Sequence, residues 1–192
     1  MESKVGIIDY SISNIRSVFN AFKKINVDAE IIKSGISFDN YSHLVLPGVG
    51  SFAKGINNIH TLGILESINK SFIKGVPILG ICLGMQLLAK EGDEFGPNNG
   101  LNFLDGKISL MKVNNQKYRL PHIGWNSVIV KGESKLLKNI SEESSYYFVH
   151  SYCYSNTLAD YVKGLTDYSG SQVAVVEKDN LFGVQFHPEK SQ

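Results

Sequence analysis

Ile78-Leu79-Gly80-Ile81-Cys82-Leu83-Gly84-Met85-Gln86-Leu87-Leu88-Ala89-Lys90 is the stretch on which the fold turns. Residues Ile78 to Ile81 follow Gly75 and Pro77 and read as a short buried strand, and Leu83 to Lys90 run straight on as an apolar helix. A cysteine stands at the junction with a glycine two residues to either side. Such a strand-turn-helix step is sharp: the glycines let neighbouring backbone approach, and the middle side chain projects from the strand end. Cys82 would then lie at a helix N-terminus, where the positive end of the dipole favours a thiolate. The plainer alternative for a lone cysteine is a small buried hydrophobe.

Upstream, β-branched runs alternate with helical patterns. Val5-Gly6-Ile7-Ile8 reads as a strand, and Ile15, Val18, Phe19, Phe22 and Ile25 recur at the spacing of one helix face. Ala29 to Ile32 and Leu44 to Leu46 read as further strands, and Leu62, Leu65, Ile68 and Phe72 mark a second amphipathic helix. Downstream the character changes. Lys107 to Val113, Ser127 to Val130, Tyr146 to Tyr154, Gln172 to Val176 and Phe182 to Phe186 are strand-like, and Gly92 to Gly100 is rich in breakers and reads as a loop. The expected class is α/β, one domain over residues 1–192. Its mostly parallel central sheet is flanked by helices and carries an antiparallel β extension in the second half.

Composition narrows the function classes. Nineteen basic residues against eighteen acidic ones give a formal net charge of +1, so no long-range field draws in nucleic acid or a membrane surface. No apolar run approaches a bilayer span, and no leader pattern opens the chain, so a cytoplasmic location is expected. The two cysteines, Cys82 and Cys153, do not suggest a disulfide framework. His43, His60 and His122 show no metal-ligand spacing, so neither a metal nor a cofactor is expected.

Two further stretches bear on chemistry. Gly183-Val184-Gln185-Phe186-His187-Pro188-Glu189 places a histidine at a strand end, where it can take a thiol proton and later protonate a leaving amine; Glu189 could fix its tautomer. A surface His-Pro turn is the bland alternative, and the separate nucleophile elbow weighs against it. Leu44-Val45-Leu46-Pro47-Gly48-Val49-Gly50 is a strand opening into a glycine-rich turn whose N–H groups could stabilise an oxyanion, with the Leu83 N–H as second donor; a tight loop or a phosphate-binding turn would read alike.

Together, Gly80-Ile81-Cys82-Leu83-Gly84-Met85-Gln86 and His187-Pro188-Glu189-Lys190-Ser191 resemble the class I, triad-type glutamine amidotransferases over nearly the whole chain. Within that class, Pro121 to Asn126, Tyr147 to Tyr152 and Pro47 to Gly50 are similar to the glutaminase subunit of imidazole glycerol phosphate synthase. The resemblance implies a Cys82 nucleophile forming a glutamyl thioester, His187 as acid and base, and Glu189 orienting it. It implies Val49 and Leu83 as oxyanion donors, and Gly50, Gln86, Glu94, Ser151 and Tyr152 at the glutamine site. It further implies a heterodimer with a β/α-barrel cyclase that receives the ammonia, with Trp125, Tyr147 and Lys190 near the interface.

Two departures stand out. Ser11 and Ser13 occupy positions where the family usually has glycine, on a loop toward the partner side, and where the chain ends at Ser191-Gln192 family members usually continue into a short helix. The serines mildly favour a paralogue that feeds ammonia to an enzyme amidinating surface sugars. A rival from another class is a non-catalytic cysteine redox or binding module, which gives no reason for a His and Glu pair near the C-terminus.

Overall fold

The computed structural model describes residues 3–12, 14–114, 116–141 and 143–191. Its first half runs β1 (Val5–Ile8), α1 (Ile15–Lys24), β2 (Ala29–Ile32), β3 (His43–Leu46), α2 (Phe52–Thr61), α3 (Leu65–Ile73), β4 (Ile78–Ile81), α4 (Leu83–Leu87) and β5 (Ala89–Gly92). The second half is nearly all strand: β6 (Asn98–Asn99), β7 (Leu104–Leu110), β8 (His122–Ser127), β9 (Ile129–Val130), β10 (Ser145–His150), β11 (Tyr152–Tyr154), β12 (Val162–Asp167), β13 (Ser171–Lys178) and β14 (Leu181–Val184). A 3₁₀ turn, Pro188–Lys190, follows.

The central sheet has eight strands in the order β2-β1-β3-β4-β14-β13-β12-β9. Its first five strands are mutually parallel, and β13, β12 and β9 are antiparallel additions. Successive strand residues point to opposite faces, so neighbours in β1 serve different cores. Ile8 packs with Leu44, Leu46, Phe52, Ile59 and Ile68 under α2 and α3. Ile7 packs with Val18, Val45 and Val184 under α1.

The α/β class and the mostly parallel sheet match the expectation, and three local readings need correction. The helix after Cys82 stops at Leu87, and Ala89–Gly92 is a strand buried at both ends. The expected loop at Gly92 to Gly100 contains β6, which pairs back on β5. An unexpected helix, α2, fills Phe52–Thr61; Gly55, Asn57, Asn58 and His60 weaken its signature, and Gly55 packs close on α4, where a Cβ would stand 3.0 Å from the Leu87 side chain. Not all the second-half strands extend the central sheet, either. β8 and β10 form a separate ribbon, and β11, β7, β5 and β6 form another sheet.

Candidate active site

Cys82 sits between β4 and α4 with φ 52° and ψ −108°, a conformation in which a non-glycine residue is strained. The flanking glycines make the bend possible. A Cβ at Gly84 would lie 1.6 Å from the Leu46 carbonyl oxygen, and one at Gly80 would lie 2.6 Å from the Met85 nitrogen. The Cys82 N–H donates to the Val184 carbonyl at 2.8 Å, which ties the elbow to the neighbouring parallel strand. With only five residues in α4, the dipole behind the thiol is weak, and activation falls to a neighbouring base.

The candidate for that base is His187. Strands β4 and β14 are adjacent and parallel, so both chains leave the sheet at the same edge. The His187 backbone N–H then donates to the Tyr147 carbonyl at 2.8 Å, which fixes where the ring stands. His187 Nδ1 lies 2.8 Å from Glu189 Oε1, and both side chains are 1% exposed. Nε2 is buried without a well-formed hydrogen bond. Burial opposes charge on this ring, but hydrogen bonds and charge from Cys82 and Glu189 outweigh it and push the pKa up to about 9.

Glu189 has a second tether absent from the sequence reading. Asn14, the left-handed residue at the start of α1, donates from Nδ2 to Glu189 Oε1 at 2.6 Å. A buried carboxylate needs such donors. Gln185 was likewise not anticipated. Fully buried, it accepts from Gln86 Nε2 at 3.0 Å and turns its own Nε2 toward the Cys82 sulfur at 3.7 Å. Asn14 and Glu189 are 175 residues apart and Gln86 and Gln185 are 99 apart, so no local pattern could pair them.

A cavity of about 410 Å³ opens beside Cys82. Its wall brings together the expected Val49, Gly50, Leu83, Gln86, Glu94, Ser151 and Tyr152, and adds Lys190 and His150. Two of these residues are partly engaged already. Gln86 Nε2 also donates to the Tyr152 carbonyl at 2.8 Å, so the amide nitrogen is committed twice. Glu94 accepts from the Phe52 N–H at 2.7 Å, one of the amides left unpaired at the start of α2. The two expected oxyanion donors are not both available. The Leu83 N–H donates to the Gly48 carbonyl at 3.3 Å. Because a trans peptide holds its C=O and N–H on opposite sides, the Val49 N–H points away from the same spot.

Trp125 and Tyr147 face each other across the β8–β10 ribbon with ring centroids 6.0 Å apart, and the Lys190 ammonium lies 5.6 Å above the Tyr147 ring. Ile123 shares that face and is 59% exposed. Ser11 adopts φ 62°, a glycine-favoured conformation, with its N–H on the Asp9 carboxylate at 3.0 Å; Ser13 lies outside the described residues. Cys153 is buried and its thiol is pushed up to about 12 by burial, which fits an inert core cysteine.

The opposite face of the ribbon buries His122 and His150, with His122 Nδ1 3.3 Å from His150 Nε2. Burial lowers their pKa values to about 4 and about 3. Between pH 6.5 and those values the unfolded chain binds protons that the folded one refuses. Stability should therefore fall with pH by up to about 1.4 kcal/mol per unit for each histidine. His187, whose folded pKa is raised, acts in the opposite sense: its contribution is lost as pH rises from about 6.5 towards 9, and it adds no slope only below about pH 6, where both states hold the proton. Urea midpoints between about pH 6 and 4.5 should show this fall, with roughly half the slope in His150→Gln; parallel profiles would disprove the assignment.

The chain matches the family model described as glutamine amidotransferase class-I over residues 6–192. It is 41% identical over 187 residues to "Imidazole glycerol phosphate synthase subunit HisH" of Caldanaerobacter subterraneus subsp. tengcongensis, covering 97% of this chain and 91% of the relative. The correspondingly named protein of Pelagibacter ubique is 40% identical, with 97% and 92% covered. Among solved structures, a glutamine amidotransferase superposes with a TM-score of 0.74 at 19% identity over 96% of this chain and 90% of its own. The structure of PurLQS from Thermotoga maritima gives 0.73 at 23% identity over 99% and 89%. At those identities the structural likeness speaks to the fold alone.

Proposed function

This chain belongs to the class-I glutamine amidotransferases, and on that premise we propose that it is the glutaminase subunit of an imidazole glycerol phosphate synthase, active in histidine biosynthesis. Residues 1–192 would form one amidotransferase domain, working in the cytoplasm. The observation that carries the reading is the alignment of a strained elbow thiol, a buried imidazole and a buried carboxylate beside a cavity sized for an amino-acid amide.

In the proposed reaction the Cys82 sulfur attacks the side-chain amide carbon of glutamine and the carbonyl π pair moves to oxygen. The tetrahedral species collapses as His187 gives its proton to the departing nitrogen, leaving a glutamyl thioester and ammonia. Water, deprotonated by His187, then attacks the thioester and releases glutamate. Glu189, held by Asn14, keeps the ring oriented and stabilises its charged form. The relatives named above favour a cyclase as recipient over a sugar-amidinating enzyme, because their names concern imidazole glycerol phosphate synthase.

We assign the cyclase-docking face to the Ile123, Trp125, Tyr147 and Lys190 side of the ribbon. Aromatic residues next to a cation are common anchors at interfaces, and this face adjoins the cavity through Lys190. A glutamine-derived electrophile offers the test. Mass spectrometry should find one adduct, on Cys82, suppressed by glutamine, with Cys153 unlabelled; Cys153→Ser should hydrolyse glutamine much as the unmodified chain does. Labelling confined to Cys153 would dismiss the reading.

A further inference from the structure

Outside the triad, the described residues contain one buried side-chain polar atom without a hydrogen-bond partner, the Tyr10 hydroxyl just beyond β1. Tyr10 is 1% exposed, and its ring packs in the core beside Leu46 and Leu83. The hydroxyl rests against the glycine turn. A Cβ on Gly48 would stand 2.3 Å from it, so only a glycine admits the hydroxyl there. Burial, and then proximity to Cys82, raise the pKa of this phenol far above its ordinary range, so it stays a donor at every working pH. A buried hydroxyl left unpaired is costly, and native proteins rarely leave one idle.

The closed turn supplies the missing partner once it moves. The Gly48 carbonyl now occupies the Leu83 N–H. An oxyanion formed at Cys82 needs that N–H, and a flip of the Gly48–Val49 peptide would free it while bringing the Val49 N–H round. The displaced Gly48 carbonyl belongs to a buried residue and would lose its donor. We infer that the Tyr10 hydroxyl receives the flipped Gly48 carbonyl, so that Tyr10 is a positioning residue for the oxyanion-competent turn. This rests on the glutaminase reading above and extends it to a residue the triad does not include. In the closed state Tyr10 is unpaired and Leu83 is occupied; in the flipped state Tyr10 is paired and two backbone donors face the substrate.

Tyr10→Phe deletes the hydroxyl and keeps the ring. Hydrolysis of glutamine should be followed at steady state, with glutamine in excess over enzyme, in the isolated chain and again with the cyclase partner. In the isolated chain kcat should fall about three- to tenfold, the worth of one hydrogen bond present only in the flipped state. KM should be unchanged, because glutamine binds before the flip. The melting temperature should hold or rise slightly, since the closed state loses only an unpaired group. Equal kcat for the two proteins would overturn the inference, as would a loss of kcat accompanied by a lower melting temperature, which marks a packing role. A Cys82→Ser control separates the two levels. Turnover persisting there would sink the glutaminase reading and the inference with it, whereas Cys82-dependent turnover indifferent to Tyr10→Phe would sink the inference alone.

Discussion

Cys82→Ser and His187→Ala should each lower glutamine turnover by about a thousandfold or more, and Glu189→Ala by distinctly less. The serine hydroxyl keeps the size and the strained backbone of Cys82, so the variant should fold, yet it is a far weaker nucleophile at neutral pH. Removing His187 deletes the group that moves both protons. Removing Glu189 leaves a ring still positioned by the Tyr147 carbonyl through its own backbone N–H. The pH profile offers an independent reading of the same roles. The imidazolium must survive to protonate the departing nitrogen, so activity should decline as pH rises through about 9. Glu189 is one of the groups that raise this pKa, and in Glu189→Ala the alkaline limb should move to lower pH. A Glu189→Ala loss larger than that of His187→Ala, or an unmoved limb, would break the division of roles.

The elbow and the His187–Glu189 pair were legible because each is written in a few consecutive residues. Gly80 and Gly84 flank Cys82 at the positions where a Cβ would strike backbone, and His187 and Glu189 are two residues apart at a strand end. Helix α2 was not legible, since Gly55, Asn57, Asn58 and His60 blur its apolar stripe, and the close approach of Gly55 to Leu87 is visible only in three dimensions. The early end of α4 was missed because Leu87-Leu88-Ala89 is apolar in either conformation, and the pairing of β5 with β7, which a sequence cannot display, decides the matter. Asn14 reaches Glu189 across 175 residues, and Gln185 reaches Gln86 across 99 and Cys82 across 103. Polar residues at such positions pass for ordinary loop or strand residues until the fold brings them together. The closed glycine turn belongs to the same group: Pro47-Gly48-Val49-Gly50 suggests a turn, and the occupation of the Leu83 N–H by Gly48 is visible only in three dimensions.

That closed turn sets the largest expected regulatory effect. One oxyanion donor is worth roughly a hundred- to a thousandfold in turnover, so the isolated chain should hydrolyse glutamine slowly and gain at least that much when the substrate-loaded cyclase docks. The barrier to flipping lies partly in Val49. It keeps a negative φ in the closed state, and rotating its peptide by a half-turn carries φ to positive values that a β-branched residue resists by about 1–2 kcal/mol. Gly50, at φ 115°, carries no such penalty. Two substitutions at Val49 should therefore act in opposite directions. Val49→Pro removes the N–H and fixes φ near −65°, so a folded, docked variant should stay slow whether or not the partner is present. Val49→Gly relieves the strain and should raise the turnover of the isolated chain about tenfold, with correspondingly less stimulation left for the partner to provide. The measurement is kcat for each protein alone and in the loaded complex, with docking checked separately. Rapid turnover by the isolated unmodified chain, full stimulation of Val49→Pro, or a Val49→Gly chain no faster than its parent would each show that the turn is not the switch.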